Sequence, residues 1–250
     1  MKIAVCVKRV PDSEARIKIG ADAKSIDESG VKFVLNPYDE YAVEEALKLK
    51  EAAGSGEVIA ISVGSDSSLE TIRTALAMGA DGGVLLKSDA MPIDPLPVAQ
   101  ALAAELKDGA YDLIVFGKVA IDDYSHGVGV MVAELLGLPC VSAIAALEIV
   151  EGKGKAEREV EGGVEVVEFS LPAVLTAEKG LNDPRYPALR GIMMAKKKPL
   201  EVKDADLGAG GIEVVGLAYP PERQAGRIVG EGVDAVPALV DALRNEAKVL

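Results

Sequence analysis

Residues 117–129 hold the densest group of polar side chains and glycines suited to ligand binding in this 250-residue chain, and they read GKVAIDDYSHGVG. Gly127 and Gly129 allow backbone to approach a ligand closely. Ser125 is placed to cap the helix that follows, whose free N–H groups suit a phosphate. Asp123 is placed to accept a hydrogen bond from a ribose hydroxyl. A nucleotide site is therefore one interpretation, and a capped turn with solvated aspartates is the other.

The same segment matches neither common phosphate-binding fingerprint. Its GxG lacks the third glycine of GxGxxG, and the chain contains no GxxxxGK[ST]. His126 is the only histidine. It is a candidate general base or phosphate contact, or else an exposed loop residue. Because no serine or cysteine is placed as a nucleophilic partner, we favour a non-catalytic role for His126.

The composition excludes several function classes. Lys and Arg number 27 against 40 Asp and Glu, so the net charge of −13 repels nucleic acid. One histidine cannot build a multi-histidine metal site. The two cysteines, Cys6 and Cys140, form no CxxC, which favours a reducing compartment. We expect both to be buried, with Cys6 as a small core residue. The longest early apolar run, 3–7, is too short to cross a bilayer, so we expect no integral membrane segment.

Apolar runs alternate with helical patterns through the first half of the chain. The predicted strands are Ile3–Val7, Val58–Val63, Gly83–Leu86 and Leu113–Phe116. Asn36 and Pro37 predict a helix start, with Asn36 as N-cap, and Gly79 predicts a later helix end. A further helix is predicted over 126–136. This alternation predicts an α/β fold with a doubly wound, mainly parallel sheet.

Loops at the carboxyl ends of such strands bind ligands. Three loops have that position in the predicted fold, namely 8–13, 64–68 and 117–129. We expect them, together with 36–39, to converge on one ligand.

The pattern changes near residue 140. Three strands are predicted as an antiparallel meander over about 141–170: Val141–Val150, Ala156–Val160 and Val164–Phe169. Ala173–Ala177 is predicted to return to the main sheet, and 180–200 to be a loop or short helix. The last amphipathic helix is predicted over about 234–247. We assign 1–200 to the α/β domain and 201–250 to an extended C-terminal arm.

A basic stretch interrupts the acidic composition at 185–203. Six cations stand there against Glu201 alone, a local balance of 6 − 1 = +5. A solvated face is one interpretation. The other is a docking surface for an acidic partner, because opposed charges raise association rates.

Several long motifs occur in an order typical of one family. They are VKRVPD at 7–12, NPYDEYAVEEA at 36–46, ETIRTALAMGAD at 70–81, GKVAIDD at 117–123, LNDPRYPAL at 181–189 and AKKK at 195–198. Through nearly its whole length the sequence resembles the beta subunit of electron-transfer flavoprotein. The resemblance implies a Rossmann-like domain similar to the adenine-nucleotide alpha-hydrolases. It also implies a heterodimer in which the arm clasps an alpha subunit that holds most of the FAD.

The resemblance also implies a buried nucleotide in this chain. In much of the family it is AMP, and in the bifurcating branch a second FAD. The nucleotide-binding positions it implies are Cys6, Asn36, Pro37, Tyr38, Asp39, Val63, Gly117, Asp123, Ser125, His126, Gly127 and Val128. Residues 122–129 read DDYSHGVG, whereas AMP-binding members usually read DDD(S/C)NQTG and bifurcating members DGDTAQVG. Asp123 therefore favours AMP, and Val128 with Gly129 favours the second FAD.

The resemblance implies partner contacts as well. Ser13 and Tyr38 fall where the beta chain approaches the alpha-bound flavin. Leu189, in the loop at about 183–195, corresponds to the anchor that docks dehydrogenases, with Arg185 and Arg190 as steering charges.

We therefore expect a non-enzymatic electron carrier. It would take electrons from acyl-CoA or related dehydrogenases and pass them to a membrane quinone reductase, in the bacterial cytoplasm or the mitochondrial matrix. Two other classes stay open. One is a stand-alone nucleotide-binding regulator of the stress-protein type, and the other is an enzyme with His126 as base.

Overall fold

The apolar runs of the sequence form strands in this computed structural model, which describes residues 1–89, 93–208, 210–222 and 225–250. The strands in these ranges are β1 Lys2–Cys6, β2 Arg9–Pro11, β3 Lys18–Ile19, β4 Ile26–Asp27, β5 Phe33–Leu35, β6 Glu57–Gly64, β7 Gly82–Lys87, β8 Leu113–Gly117, β9 Cys140–Val150, β10 Lys153–Val160, β11 Gly163–Ser170, β12 Ala173–Ala177 and β13 Leu200–Asp204. The α-helices are α1 Pro37–Ala52, α2 Leu69–Met78, α3 Pro95–Lys107, α4 Val128–Leu136, α5 Leu189–Ala195 and α6 Val236–Asp241.

Nine of these strands form one sheet in the order β11-β10-β9-β12-β8-β1-β6-β7-β13. Seven neighbouring strands, from β9 to β13 in that order, are parallel, whereas β10 pairs antiparallel with both β9 and β11. Ile3 in the centre lies beside Val58 on β6 and Leu113 on β8. The predicted mainly parallel sheet and the antiparallel meander are both confirmed.

Alternate residues of the central strand enter two separate hydrophobic cores. Ile3 and Val5 pack in a cluster with residues of α1 and α2, such as Val43. Ala4 and Cys6 pack in a second cluster with residues of α3 and α4. Since successive side chains of a strand point to opposite faces, helices cover both sides of the sheet. The doubly wound α/β fold is therefore confirmed.

Helix α1 begins as the sequence predicts, with Pro37 at its first position and Asp39 and Glu40 in its first turn. Asn36 occupies the N-cap position, but its side chain makes no capping hydrogen bond. Gly79 ends α2 at a φ of 148°, a conformation that favours glycine.

Strand β13 is an element that the sequence pattern did not reveal. It pairs in parallel with β7 alone and forms an edge of the sheet, so Leu200–Asp204 has no continuous apolar run. The first compact unit of the chain consequently runs from Met1 to Gly216. The boundary expected between 200 and 201 falls instead inside this unit.

The second compact unit is Leu217–Leu250. The amphipathic helix predicted over about 234–247 is divided there into a 3-10 turn at Val233–Ala235, α6, and a π-helical turn at Ala242–Glu246. Within this unit Val236 and Leu239 of α6 keep 50% and 45% of their surface exposed. An apolar stripe of the helix is thus left available. No helix among the described residues is long and apolar enough to cross a membrane.

Candidate functional site

A cleft lies at the carboxyl ends of β1 and β8 and beside the first turns of α3 and α4. Of the thirteen nucleotide- and flavin-facing residues expected from the sequence, ten line it: Cys6, Asn36, Asp39, Val63, Gly117, Asp123, Ser125, His126, Gly127 and Val128. The residues expected to bind a nucleotide are therefore largely brought together.

Three of the expected residues do not line the cleft. Ser13 lies in an exposed turn. Pro37 and Tyr38 start α1, and the Tyr38 ring lies with its centroid 5.4 Å from Nζ of Lys118. Their expected contacts with a ligand or flavin stay predictions.

Asn36 ties the loop after β8 to the start of α1. Its Nδ2 donates to Oδ1 of Asp39 at 2.8 Å and to the carbonyl of Val119 at 2.9 Å. Its Oδ1 accepts from the amide of Ile121 at 3.2 Å. The side chain is fully buried, which explains why it is not free to cap α1. Asn36 thus holds the floor of the cleft rather than offering its amide group to a ligand.

Asp39 is a buried carboxylate at the meeting point of three segments. Its Oδ2 accepts from the Lys8 amide at 2.7 Å, and its Oδ1 accepts from the Gly117 amide at 3.1 Å as well as from Asn36. Burial raises the pKa of Asp39 to about 7, although these hydrogen bonds and the charge of Lys8 act in the opposite direction. This carboxyl therefore fixes the relative positions of β1, α1 and β8.

A lysine that follows β1 forms ion pairs with two aspartates of the loop between β8 and α4. Lys8 Nζ lies 2.9 Å from Oδ1 of Asp122 and 2.9 Å from Oδ2 of Asp123. Asp123 Oδ1 also accepts from the Ser125 amide. Two non-glycine residues, Tyr124 and His126, have φ of 53° and 54°. Such conformations are costly and occur preferentially at functional sites.

The N-terminus of α4 faces the cleft without a side-chain cap. The structure corrects the expectation that Ser125 caps this helix, because the N-cap is Gly127 and no side chain caps it. The left-handed turns at Tyr124 and His126 delay the helix start to Val128. The first N–H groups of α4 consequently have no side-chain acceptor and can bind an anion.

One wall of the cleft was not expected from the sequence. It is formed by the start of α3, where Ile93, Asp94, Pro95 and Val98 line the cavity. Asp94 is buried and caps α3 by accepting from the Leu96 amide at 3.0 Å. Its Oδ2 accepts from the Gly211 amide at 2.7 Å. Asp and Pro at the start of an apolar-periodic segment could have revealed the cap, but not its place beside the cleft.

The loop at 64–68 does not reach this cleft. Its Ser67 instead lines a second cavity of about 220 Å³. Among the described residues the other lining residues of this cavity are Arg9, Phe33, Val34, Leu35, Glu40, Glu70, Thr71 and Thr74. The loop leads into α2, which packs with α1 on the opposite face of the sheet from α3 and α4. The expected convergence of all three loops on one ligand is therefore wrong for 64–68.

The two cysteines have different surroundings. Cys6 is buried as expected, and burial raises its pKa far above its ordinary value, so the thiol is unreactive. Cys140 was expected to be buried, but it is exposed. It begins β9, where its side chain lies outside both core clusters. Among the described residues no group of three or more His, Cys, Asp and Glu could hold a metal ion.

Comparison with known proteins identifies the family of this chain. A family model described as "Electron transfer flavoprotein domain" matches residues 24–207, more than half of the chain. "Electron transfer flavoprotein subunit beta" of Bacillus subtilis is 43% identical and covers 100% of both chains. The protein of the same name from Homo sapiens is 42% identical over 96% of each chain. The chain belongs to the electron transfer flavoprotein beta-subunit family.

Half of the cations in the basic stretch 185–203 are bonded within the chain and are therefore not free to meet an acidic partner. Arg185 bonds Glu44 at 2.7 Å and Glu51 at 2.6 Å, Lys203 pairs with Glu105 at 2.8 Å, and Lys198 donates to the carbonyls of Leu76 and Ala80. Both carboxylates raise the pKa of Arg185 above its ordinary value. Three of the six cations therefore fasten the segment to α1, α2 and α3. Arg190, Lys196 and Lys197 are exposed.

The same segment presents apolar side chains on a fixed support. Leu189 at the start of α5 is 76% exposed, Tyr186 is 95% exposed and Met193 is 66% exposed. A Cβ on Gly191 would lie 2.4 Å from the carbonyl of Ala77, so α5 packs directly on the backbone of α2. The segment that presents these exposed side chains is thus supported directly by α2.

Proposed function

We propose that this chain is the beta subunit of a heterodimeric electron-transfer flavoprotein and that its cleft holds AMP. The observation that carries the proposal is the uncapped N-terminus of α4 at a cleft formed by β1 and β8, in a chain with full-length relatives of this name. The chain itself performs no catalysis in this proposal. The FAD, held mostly by the alpha subunit, supplies the redox chemistry.

The residues present fit an adenosine phosphate. Apolar side chains such as Val63, Phe116 and Leu102 line one part of the cleft and suit a purine. The free N–H groups of α4 suit the phosphate, and Asp123 suits a ribose hydroxyl. A Cβ at Gly117 would lie 2.4 Å from Oδ1 of Asp39, so the cleft floor requires glycine there. Backbone rather than charged side chains would therefore hold most of the nucleotide.

A second FAD in place of AMP is the alternative for the same cleft. Both ligands bring an adenosine phosphate, so the same residues would hold that shared part. Only identification of the bound nucleotide separates the two.

The exposed apolar surfaces suggest where partners bind. In the proposed heterodimer the arm at Leu217–Leu250 clasps the alpha subunit, and its exposed Tyr219, Ile228 and Val233 support this role. Ser13 and Tyr38 would approach the alpha-bound flavin. The complex would take electrons from an acyl-CoA or related dehydrogenase and deliver them to a quinone reductase. Its compartment would be the cytoplasm of a bacterium or the mitochondrial matrix.

Co-expression with an alpha subunit of the same family tests the proposal. We expect a 1:1 complex that carries flavin, and reduction of this flavin when an acyl-CoA dehydrogenase and its substrate are added. A chain that stays monomeric beside a folded alpha subunit, as measured by light scattering, would contradict the proposed heterodimer. It would favour the stand-alone regulator instead.

Leu189→Ala is expected to slow electron transfer from the dehydrogenase about tenfold, because truncating an apolar anchor of an interface can cost more than about 1 kcal/mol of docking free energy, and about 1.4 kcal/mol corresponds to tenfold. Flavin content should stay unchanged. The matched control is Val164→Ala, which truncates another apolar side chain, 59% exposed, on the meander. An unchanged rate for Leu189→Ala in stopped-flow measurements would refute the docking role.

A further inference from the structure

Two neighbouring aspartates in the loop before α4 should repel a bound phosphate. The loop carries two carboxylates, on Asp122 and Asp123, five or six residues before the first residue of α4, where the proposed phosphate would bind, and Asp123 lines the cleft. Like charges repel, and the repulsion is strong where water is partly excluded. The side chains of these aspartates are 27% and 31% exposed, so solvent screens them only in part. A loop of this charge should by itself reject a phosphate.

Lys8 is placed to compensate the negative charge of these two aspartates. Its Nζ donates to both carboxylates at 2.9 Å, and its own amide donates to Asp39 on the cleft floor at 2.7 Å. The ammonium thus neutralises one of the two loop charges and shares hydrogen bonds with both. Lys118, the other lysine that lines the cleft, already pairs with Glu178.

The same contact holds the loop in shape. Tyr124 and His126 adopt left-handed conformations that L-residues rarely take. A loop with two such residues keeps its conformation only where surrounding contacts impose it. The bonds from Lys8 and the bond from the Ser125 amide to Asp123 are such contacts.

We propose that Lys8 is a positioning residue that makes the cleft selective for phosphorylated nucleosides, by neutralising the acidic pair Asp122 and Asp123. The inference rests on the proposed nucleotide site. It assigns to this chain's own lysine a role that backbone contacts cannot supply. Removal of the ammonium leaves two uncompensated carboxylates in the loop that leads to the phosphate subsite. Phosphate-bearing ligands should then be lost selectively, while the uncharged nucleoside is retained.

Equilibrium dialysis of the full-length chain, freed of copurified nucleotide, with AMP and with adenosine tests this role. Lys8→Met is expected to weaken AMP about tenfold or more and adenosine by about twofold or less, a split that a purely structural role would not produce. Lys8→Arg keeps the charge and should bind AMP within about threefold of wild type. Thermal unfolding of each variant checks the fold.

The decisive variant combines Lys8→Met with Asp122→Asn, a change at an aspartate that does not line the cleft. The loop then has a net charge of −1, the same as Lys8, Asp122 and Asp123 together in the wild type, so AMP affinity should return to within about threefold of wild type. If this double variant stays as weak as Lys8→Met, or if AMP and adenosine are weakened equally, the inference is overturned. Wild-type chain that binds neither AMP nor FAD would instead overturn the proposed function, and the inference with it.

Discussion

Gly117→Ala is expected to abolish nucleotide binding and to lower the free energy of unfolding by about 3 kcal/mol or more, as for severe overpacking. The added Cβ would lie 2.4 Å from Oδ1 of Asp39 and 2.7 Å from the backbone carbonyl carbon of Tyr38. Neither atom can move freely, since Asp39 is fixed by its hydrogen bonds and Tyr38 belongs to the first turn of α1. The floor of the cleft must therefore deform.

The matched control for this change is Gly163→Ala. Gly163 begins β11 and does not line the cleft, and a Cβ there would meet nothing within 4 Å. This variant should change the free energy of unfolding by about 0.5 kcal/mol or less. Urea unfolding and AMP dialysis of the two variants measure the difference. Equal effects of both changes would show that the close approach of β8 to α1 does not constrain the site.

The stability advantage of the wild-type chain over Asp39→Asn is expected to shrink as pH rises from about 4 to about 7. Burial raises the pKa of Asp39 to about 7 from an ordinary value of 3.8. Between these values the unfolded chain gives up its proton while the folded chain keeps it, so the folded state loses stability with rising pH. The shift of about three pKa units corresponds to at most about 4 kcal/mol.

The sign of this effect distinguishes Asp39 from the exposed carboxylates. In Asp12 a hydrogen bond from Lys32 holds the pKa below its ordinary value. Asp12→Asn therefore removes a group that is ionised in both states above about pH 5, and its effect should be flat between about pH 5 and 7. Urea unfolding at several pH values compares the two variants. A wild-type advantage over Asp39→Asn that grows with pH would contradict the raised pKa.

Local patterns were sufficient to predict most strands of the main sheet and the start of α1. Continuous apolar runs indicated β6 and β8, and the Asn36–Pro37 pair placed the start of α1 at the correct residue. These signals depend only on neighbours along the chain. The edge strand β13 was not predicted, because a strand that pairs with a neighbour on one side only does not require a continuous apolar run.

Contacts between distant residues could not be predicted in the same way. The Asn36 side chain bonds Val119 and Ile121, more than 80 residues away, instead of capping its own helix. Arg185, expected to face a partner, is paired with Glu44 at a separation of 141 residues. Both outcomes depend on which segments the sheet brings together. The residue types at the cleft were therefore predictable, but their hydrogen-bond partners were not.

The identity of the nucleotide released by the purified chain tests the central claim most directly. The full-length chain, purified without added nucleotide, is denatured in acid, and the supernatant is quantified by liquid chromatography and mass spectrometry. Gly117→Ala is the control that loses the site. We predict about one AMP per wild-type chain and little from the control; FAD in its place would support the bifurcating alternative. Wild-type chain that releases neither AMP nor FAD would contradict the claim that this cleft is a nucleotide site.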